Sequence, residues 1–435
     1  MKEQALEKIA DKSAVVGIIG LGYVGLPLAL CFIEKGYRVI GFDSDPQKVE
    51  LLNDGRSYIK HVGIHRVQAA KESGLFTATS DYSKAEEADA LILCVPTPLG
   101  KHMEPDVSYI ISTVAGILPY VRKGQLVSLE STTYPGTTED LIAAPIEAKG
   151  FKVGRDVFVA FSPEREDPGN PDFSTSTIPK LVGGCSEACL EVALALYSNV
   201  VVKAIPVSST RVAETAKLLE NIFRSVNIGL VNEMKIVCDK LGIDVWDVID
   251  AAATKPFGFM AFRPGPGMGG HCIPIDPFYL TWKAKEFGIN THFIELAGTI
   301  NNSMPDWVVQ KTALALNDHG KSVKGSKVLV LGLAYKKNID DLRESPSIHI
   351  IERLMALGAQ VGYSDPHIPR THKMREHDLD LSSIELTPSV IAKQDCVLVA
   401  TDHDAFDYAM IERHAKLIVD TRGVYRGDRK NVVKA

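Results

Sequence analysis

Two stretches of this sequence carry residue types and spacings that can do chemistry. In "PGPGMGGHCIPIDP", Pro264 to Pro277, glycines and prolines surround one cysteine, Cys272, and an acid, Asp276, follows four residues later. Proline lacks the backbone N–H and fixes φ, so the spacing predicts neither regular helix nor central strand here. A thiol in a glycine-lined loop suits a nucleophile, because glycine lets another molecule approach the backbone closely. A buried structural thiol is the competing reading. His271 beside it raises the idea of a metal pair, yet no second His/Cys pair with ligand spacing follows, and no metal is expected.

The second stretch is "GLGYVG", which places Gly20, Gly22 and Gly25 in GxGxxG spacing between strand-like "AVVGIIG" and helix-like "GLPLALCFIEKG". Gly20 permits a tight turn, Gly22 lets the backbone approach a pyrophosphate, and Gly25 allows close helix–strand packing. The phosphates belong on the helix N-terminus, where exposed N–H groups favour anions. Asp43 ends the next strand, "YRVIGFD", the place for an acid that binds a ribose 2′-OH. It would repel a 2′-phosphate and no arginine follows it, so NAD is expected over NADP. Lys48 either covers the adenosine end or is an exposed helix lysine. A glycine-rich structural turn is the alternative to the whole motif.

The elements that must position these groups follow from periodicity. "ADALILCVP", "GQLVSLEST" and "DVFVAFSPE" are short apolar runs ending in loop-forming residues, which predicts a parallel, doubly wound sheet. From Ser208 to Gly242 the period turns helical for about thirty residues. "DVWDVIDAAAT" continues as helix, and more helices are expected from about Pro277 to Asn317, with Asp276 as a possible N-cap. Alternation resumes with "KVLVLGLAY", "AQVGYSDPH", "DCVLVATDH" and "AKLIVDTRG". The expected fold is α/β: two Rossmann-like, doubly wound domains over 1–206 and 318–435, joined by a long helical dimerisation region over 207–317. The two α/β halves show no detectable sequence repeat.

Bulk properties exclude some partners. The 435 residues are 45% hydrophobic and 23% charged, as in globular proteins of two or three domains. With 48 basic against 54 acidic residues the net charge is −6, which argues against nucleic acid. The N-terminus lacks an apolar signal core and no apolar run reaches the roughly 20 residues that span a bilayer, so no membrane partner is expected. Seven scattered cysteines, with only Cys185 and Cys189 close together, fit thiols in a reducing cytoplasm.

Read together, "GLGYVGLPLA", "ESTTYPGTT", "SPERE", "AETAKLLEN", "PGPGMGGHCIPIDP" and "LGLAYKKNIDDLRESPS" run in order from about Ala14 to the C-terminus. With these motifs the sequence resembles the nucleotide-sugar 6-dehydrogenase family, most of all its bacterial branch acting on UDP-N-acetylglucosamine for surface polysaccharides. The resemblance implies a four-electron oxidation of the sugar C6 alcohol with two NAD in succession. It makes Cys272 the nucleophile that adds to the intermediate aldehyde, giving a thiohemiacetal and then a thioester that water cleaves. Sulfur answers a chemical need: the second oxidation requires a tetrahedral carbon carrying a transferable hydride, and a thioester hydrolyses readily.

The other roles are implied by the same resemblance. Lys217 and Asn221, one turn apart on a helix, stabilise oxyanions at C6, and Asp276 accepts from Lys217 or orients the water. Thr132 lies near the nicotinamide and the water, and Glu164 is the general base of the hydrolytic half. Tyr23, Val24, Thr97 and Arg343 join the cofactor contacts. Lys336, Arg422 and Gly269 join the UDP-sugar contacts, and Arg263 reaches a neighbouring subunit's site. Bland readings stand beside these: exposed lysine, surface asparagine, turn hydroxyl and solvated charge. The sequence departs from UDP-glucose dehydrogenases where Pro168 replaces a second glutamate. A homodimer or larger homo-oligomer is implied, through the helix from about Val207 to Leu241. UDP-N-acetylmannosamine, UDP-N-acetylgalactosamine and UDP-glucose are the alternative substrates. A two-electron hydroxyacid dehydrogenase and a non-catalytic NAD-binding regulator are the alternative functions.

Overall fold

The computed structural model describes residues 1–59, 62–100, 103–165, 177–270, 272–371, 377 and 379–435. Pro168 and His271 lie outside the described residues. The chain divides into two compact units, Met1–Glu220 with Phe278–Ile289, and Asn221–Pro277 with Asn290–Ala435.

The first unit holds strands β1 (Val15–Ile19), β2 (Arg38–Phe42), β3 (Phe76–Thr79), β4 (Ala90–Leu93), β5 (Leu126–Leu129), β6 (Phe158–Phe161), β7 (Lys180–Gly184) and β8 (Ala204–Val207). They form one sheet in the order β3-β2-β1-β4-β5-β6-β7-β8, antiparallel only at β6–β7. Its first six strands follow the Rossmann order, with the switch point between β1 and β4. β4, β5 and β6 are buried at every position, as apolar runs covered on both faces must be.

The second unit holds β9 (Lys327–Leu331), β10 (Gln360–Ser364), β11 (Cys396–Val399), β12 (Ile418–Asp420) and β13 (Val432–Lys434), in the all-parallel order β10-β9-β11-β12-β13. It repeats a device of the first unit. Asp43 follows β2 and accepts the Leu21 N–H at 3.0 Å; Asp365 follows β10 and accepts the Leu333 N–H at 2.6 Å. Asp365 is buried and also accepts from the N–H groups of Ala334, His367 and Ile368 and contacts His403 Nε2 at 3.0 Å. Burial alone would raise this carboxyl; His403 and the backbone donors reverse that and hold it below the ordinary carboxylate range. Its contribution to stability is therefore full at neutral pH and is lost as pH falls through that depressed value. Asp365→Ala leaves buried donors without an acceptor and is expected to cost about 3 kcal/mol, read by denaturant unfolding.

Helix Thr210–Leu241, 32 residues, is the long helix that the period predicts, and it stops at Gly242, whose φ is +70°. One expectation is corrected. The stretch from Pro264 to Pro277 is irregular only as far as Gly270: helix Cys272–Lys285 begins at the cysteine and contains Asp276 and Pro277. Pro274 falls in the first turn, where no N–H is needed, whereas Pro277 lies inside the helix and forgoes one intrahelical hydrogen bond. Asp276 is thus inside the helix and is no N-cap.

Candidate active site

In the first unit the glycine turn is dictated by contact. Gly20 has φ +92°, and a Cβ there would sit 2.5 Å from the Cys94 carbonyl oxygen. A Cβ on Gly25, the first residue of helix Gly25–Glu34, would fall 1.8 Å from the Gly20 carbonyl oxygen. Gly22 is the opposite case, with nothing within 4 Å of the Cβ it lacks. A tight turn, an open flank at Gly22 and a carboxylate ending β2 fit a dinucleotide. Lys48 Nζ lies 3.6 Å from Asp43 Oδ2 and 5.7 Å from the Tyr58 ring centroid, so it is tethered beside the acid. Tyr23 is exposed and Val24 partly so, while Thr97 is buried and its carbonyl accepts the Tyr279 hydroxyl at 2.5 Å.

Loops after β4, β5 and β6 carry Cys94, Thr132 and Glu164 at the carboxyl edge of the parallel sheet, where such folds place ligands. Thr132 is partly exposed in the turn after β5. That turn is held by Glu214 of "AETAKLLEN", whose carboxylate accepts from Gly136 N at 2.6 Å, Thr138 N at 2.9 Å and Thr138 Oγ1 at 2.7 Å. Glu164 accepts the Arg165 N–H at 2.7 Å and lies 3.5 Å from the Nζ of Lys180. Lys180 in turn donates to Glu130 Oε2 at 2.7 Å, and both partners are buried. Burial pushes the Glu130 carboxyl up to about 7 although a cation touches it. Burial alone would lower the Lys180 ammonium, and the charges of Glu130 and Glu164 more than reverse it. Glu130, Lys180 and Glu214 escape sequence reasoning because each looks like a surface charge until the fold removes its water. Lys217 is also buried, 7% exposed, so the reading of an exposed lysine falls.

In the second unit the glycines before Cys272 answer to their neighbours. A Cβ on Gly269 would stand 2.5 Å from Tyr335 Cβ and 2.8 Å from the Glu344 carbonyl oxygen. Gly270 has φ +83° and donates its N–H to the Arg343 carbonyl at 2.9 Å. Upstream, Gly265 donates to Asn232 Oδ1 at 3.0 Å and accepts from Lys235 Nζ at 2.9 Å, both on the long helix. Lys235 also reaches the Ala435 carbonyl at 3.0 Å, and burial lowers its ammonium to about 7. The loop is thus pinned at both ends, while Cys272 itself is exposed at the first residue of its helix. The helix dipole favours negative charge at that end. Asn221 and Asp276 are buried and meet directly, Asn221 Nδ2 donating to Asp276 Oδ2 at 2.5 Å. Asn221 is therefore not a helix-surface amide.

The basic candidates differ in freedom. Arg422 donates through Nε to the Ala400 carbonyl at 2.7 Å and lies against Gly265, where an added Cβ would be 2.8 Å from its Nη1; burial lowers its guanidinium. Arg343 is clamped by Asp341, with Nε 3.0 Å and Nη2 2.6 Å from its carboxylate. Arg263 is exposed and pairs with Asp250. Lys336 is partly buried in the loop after β9. The fold also gathers His349, Glu352 and His377, with His377 Nδ1 2.9 Å from Glu352 Oε1, a grouping that sequence spacing does not announce.

Comparison with known proteins agrees with this arrangement. Models of the UDP-glucose/GDP-mannose dehydrogenase family match as its NAD binding domain over residues 14–201, its central domain over 211–303 and its UDP binding domain over 329–427. The chain is 34% identical over 421 residues to the UDP-N-acetyl-D-mannosamine dehydrogenase of Methanococcus maripaludis (strain C7), covering 94% of this chain and 92% of the relative. It is also 34% identical over 408 residues to a UDP-N-acetyl-D-glucosamine 6-dehydrogenase of Pseudomonas aeruginosa, covering 93% and 94%. Among solved structures, the UDP-D-ManNAc dehydrogenase of Pyrococcus horikoshii superposes with a TM-score of 0.88 at 30% identity, covering 97% of this chain and 98% of that one. Two Rossmann-like folds, the dinucleotide turn and three family segments in order lead to one conclusion: this chain belongs to the UDP-glucose/GDP-mannose dehydrogenase family, NAD-dependent UDP-sugar 6-dehydrogenases.

Proposed function

We propose that the protein oxidises UDP-N-acetylglucosamine at C6 to the uronate by four electrons, with Cys272 as the covalent nucleophile. The observation that carries this reading is an exposed cysteine at a helix start, behind a loop whose glycines have no room for side chains. Bound NAD supplies a hydride acceptor for each oxidation. Gly20, Gly22, Tyr23, Val24 and Gly25 form its phosphate turn, Asp43 and Lys48 meet the adenosine ribose, and Thr97, Thr132 and Arg343 complete its contacts.

Cys272 Sγ adds to the aldehyde carbon and makes it tetrahedral, which keeps a hydride available for the second oxidation. Lys217 and Asn221 donate to the C6 oxygen as it gains negative charge, and Asp276 fixes the Asn221 amide through their hydrogen bond. Glu164 takes the proton of the water that cleaves the thioester. Lys336, Arg422 and Gly269 hold the UDP-sugar, and Arg263 reaches the sugar site of a neighbouring subunit.

The wider reading has its own supports. A division into 1–206, 207–317 and 318–435 accords with the three family segments. A homodimer through the long helix is supported by apolar side chains left exposed along it, including Leu219, Leu230 and Leu241. Among the described residues no helix is long and apolar enough to cross a membrane. A reducing cytoplasm suits a cysteine that must stay a thiol.

Two measurements test the substrate and the cofactor. Side-by-side kinetics with UDP-N-acetylglucosamine, its manno and galacto epimers and UDP-glucose should give the first the highest kcat/KM; a better value with another sugar overturns the choice. Wild type should prefer NAD to NADP by roughly a hundredfold, and Asp43→Gly should erase most of that gap by removing the charge that meets a 2′-phosphate.

A further inference from the structure

Below the carboxyl edge of the first sheet sit two buried charges for which the mechanism above has no use. Lys180 and Glu130 are respectively 3% and 1% exposed, and a buried ion pair earns stability poorly against its desolvation cost. Lys180 Nζ touches both acids: it lies 2.7 Å from Glu130 Oε2 and 3.5 Å from Glu164 Oε2, and it also donates to the Pro163 carbonyl at 3.2 Å. The second Glu130 oxygen, Oε1, is buried and has no hydrogen-bond partner among the described residues. A carboxylate in that position is poorly satisfied, and a neutral acid is easier to accommodate there.

We propose that Lys180 and Glu130 serve Glu164 as a buried proton relay; this rests on Glu164 being the base of the hydrolytic half. As water adds to the thioester carbon, one of its protons goes to a Glu164 oxygen. That proton then passes to Lys180 Nζ while an Nζ proton moves to Glu130. Glu164 is again a carboxylate, Lys180 again an ammonium, and Glu130 has become a neutral acid, so one proton is conserved throughout. The other titratable groups that face the pair are Cys94, after β4, and Tyr197, whose ring lies 5.7 Å from Lys180 Nζ. Burial raises both far above neutrality, and the Tyr197 hydroxyl, 2.9 Å from Ser128 Oγ and interacting with Glu130 as well, keeps its own proton, so neither competes for the relayed one. The Glu130 carboxyl, pushed up to about 7, matches a group that must take and release a proton near neutrality. Lys180 and Glu130 are positioning and relay residues, not groups that touch the sugar.

The test is the pH dependence of thioester hydrolysis, followed by rapid quench with NAD and UDP-N-acetylglucosamine over about pH 5 to 9. Wild type should show a rate rising with pH through a limb near neutrality. Glu130→Gln should lose that limb and drop the plateau roughly tenfold, with Glu130→Asp restoring the limb. A purely structural role would lower the rate at every pH with the limb in place, and that result overturns the relay. If Glu130→Gln does not fold, Lys180→Arg decides, because arginine keeps the charge but cannot hand on a proton. Loss of the limb in this variant supports the relay and an unmoved limb refutes it. Glu164→Gln separates the underlying reading: unchanged hydrolysis there removes Glu164 as base, whereas slowed hydrolysis with a normal limb in Glu130→Gln removes only the relay.

Discussion

Cys272→Ser should stop multiple-turnover formation of the uronate, by on the order of a thousandfold or more. The reason is the second oxidation. An aldehyde carbon without an added nucleophile is trigonal, and a serine hydroxyl is a far weaker nucleophile than a thiolate, which the start of a helix favours. The first oxidation does not need sulfur, so one NADH per site should still form on mixing, followed by a stall. Absorbance at the NADH band, combined with mass spectrometry of the sugar, reads both stages. A serine variant that goes on producing acid through many turnovers would exclude the covalent route. A two-electron hydroxyacid dehydrogenase, which needs no thiol, would then be the better reading.

The dinucleotide turn supplies the second large effect, because two of its glycines should fail for opposite reasons. In Gly25→Ala the new methyl must occupy a point 1.8 Å from a backbone carbonyl oxygen, and backbone cannot yield as a flexible side-chain tip would. Destabilisation of about 3 kcal/mol or more is expected, with the melting temperature falling sharply even in the absence of NAD. In Gly22→Ala the methyl meets nothing, so the fold should keep its melting temperature. The side chain then stands where the pyrophosphate approaches, and NAD affinity should drop at least roughly tenfold. Calorimetric NAD titration and thermal unfolding on both variants decide the matter. Equal melting temperatures for the two variants would defeat this account of the turn.

Much of the architecture was open to a reader of the sequence. Apolar runs such as "ALIL" and "FVAF" can be stable strands only when covered on both faces, so alternation with helices implied a parallel sheet. The long helix and its glycine stop were equally legible, since a period sustained over 32 residues has one physical solution. The cysteine loop was legible as restrained but not as to its end, because the first turn of a helix accepts proline and leaves no local mark. The repeat between the units left too short a mark to register as one. Asp43 and Asp365 both tie the second strand of a sheet to the turn after the first, and the turns, "GLGY" from Gly20 and "GLAY" from Gly332, are alike over only four residues.

What the sequence determined by itself was the class of chemistry: glycines spaced for a pyrophosphate, an acid suited to a ribose, and one cysteine set among glycines and prolines. Those traits are local, written in backbone angles and short spacings. Only the tertiary structure decided which charges lose their water. Lys180, Glu130 and Glu214 are ordinary polar residues in the chain, and folding places them where a proton or a carboxylate cannot be neutral to its surroundings. Burial depends on residues far apart in sequence, such as Glu130 and Lys180, and no local pattern encodes it.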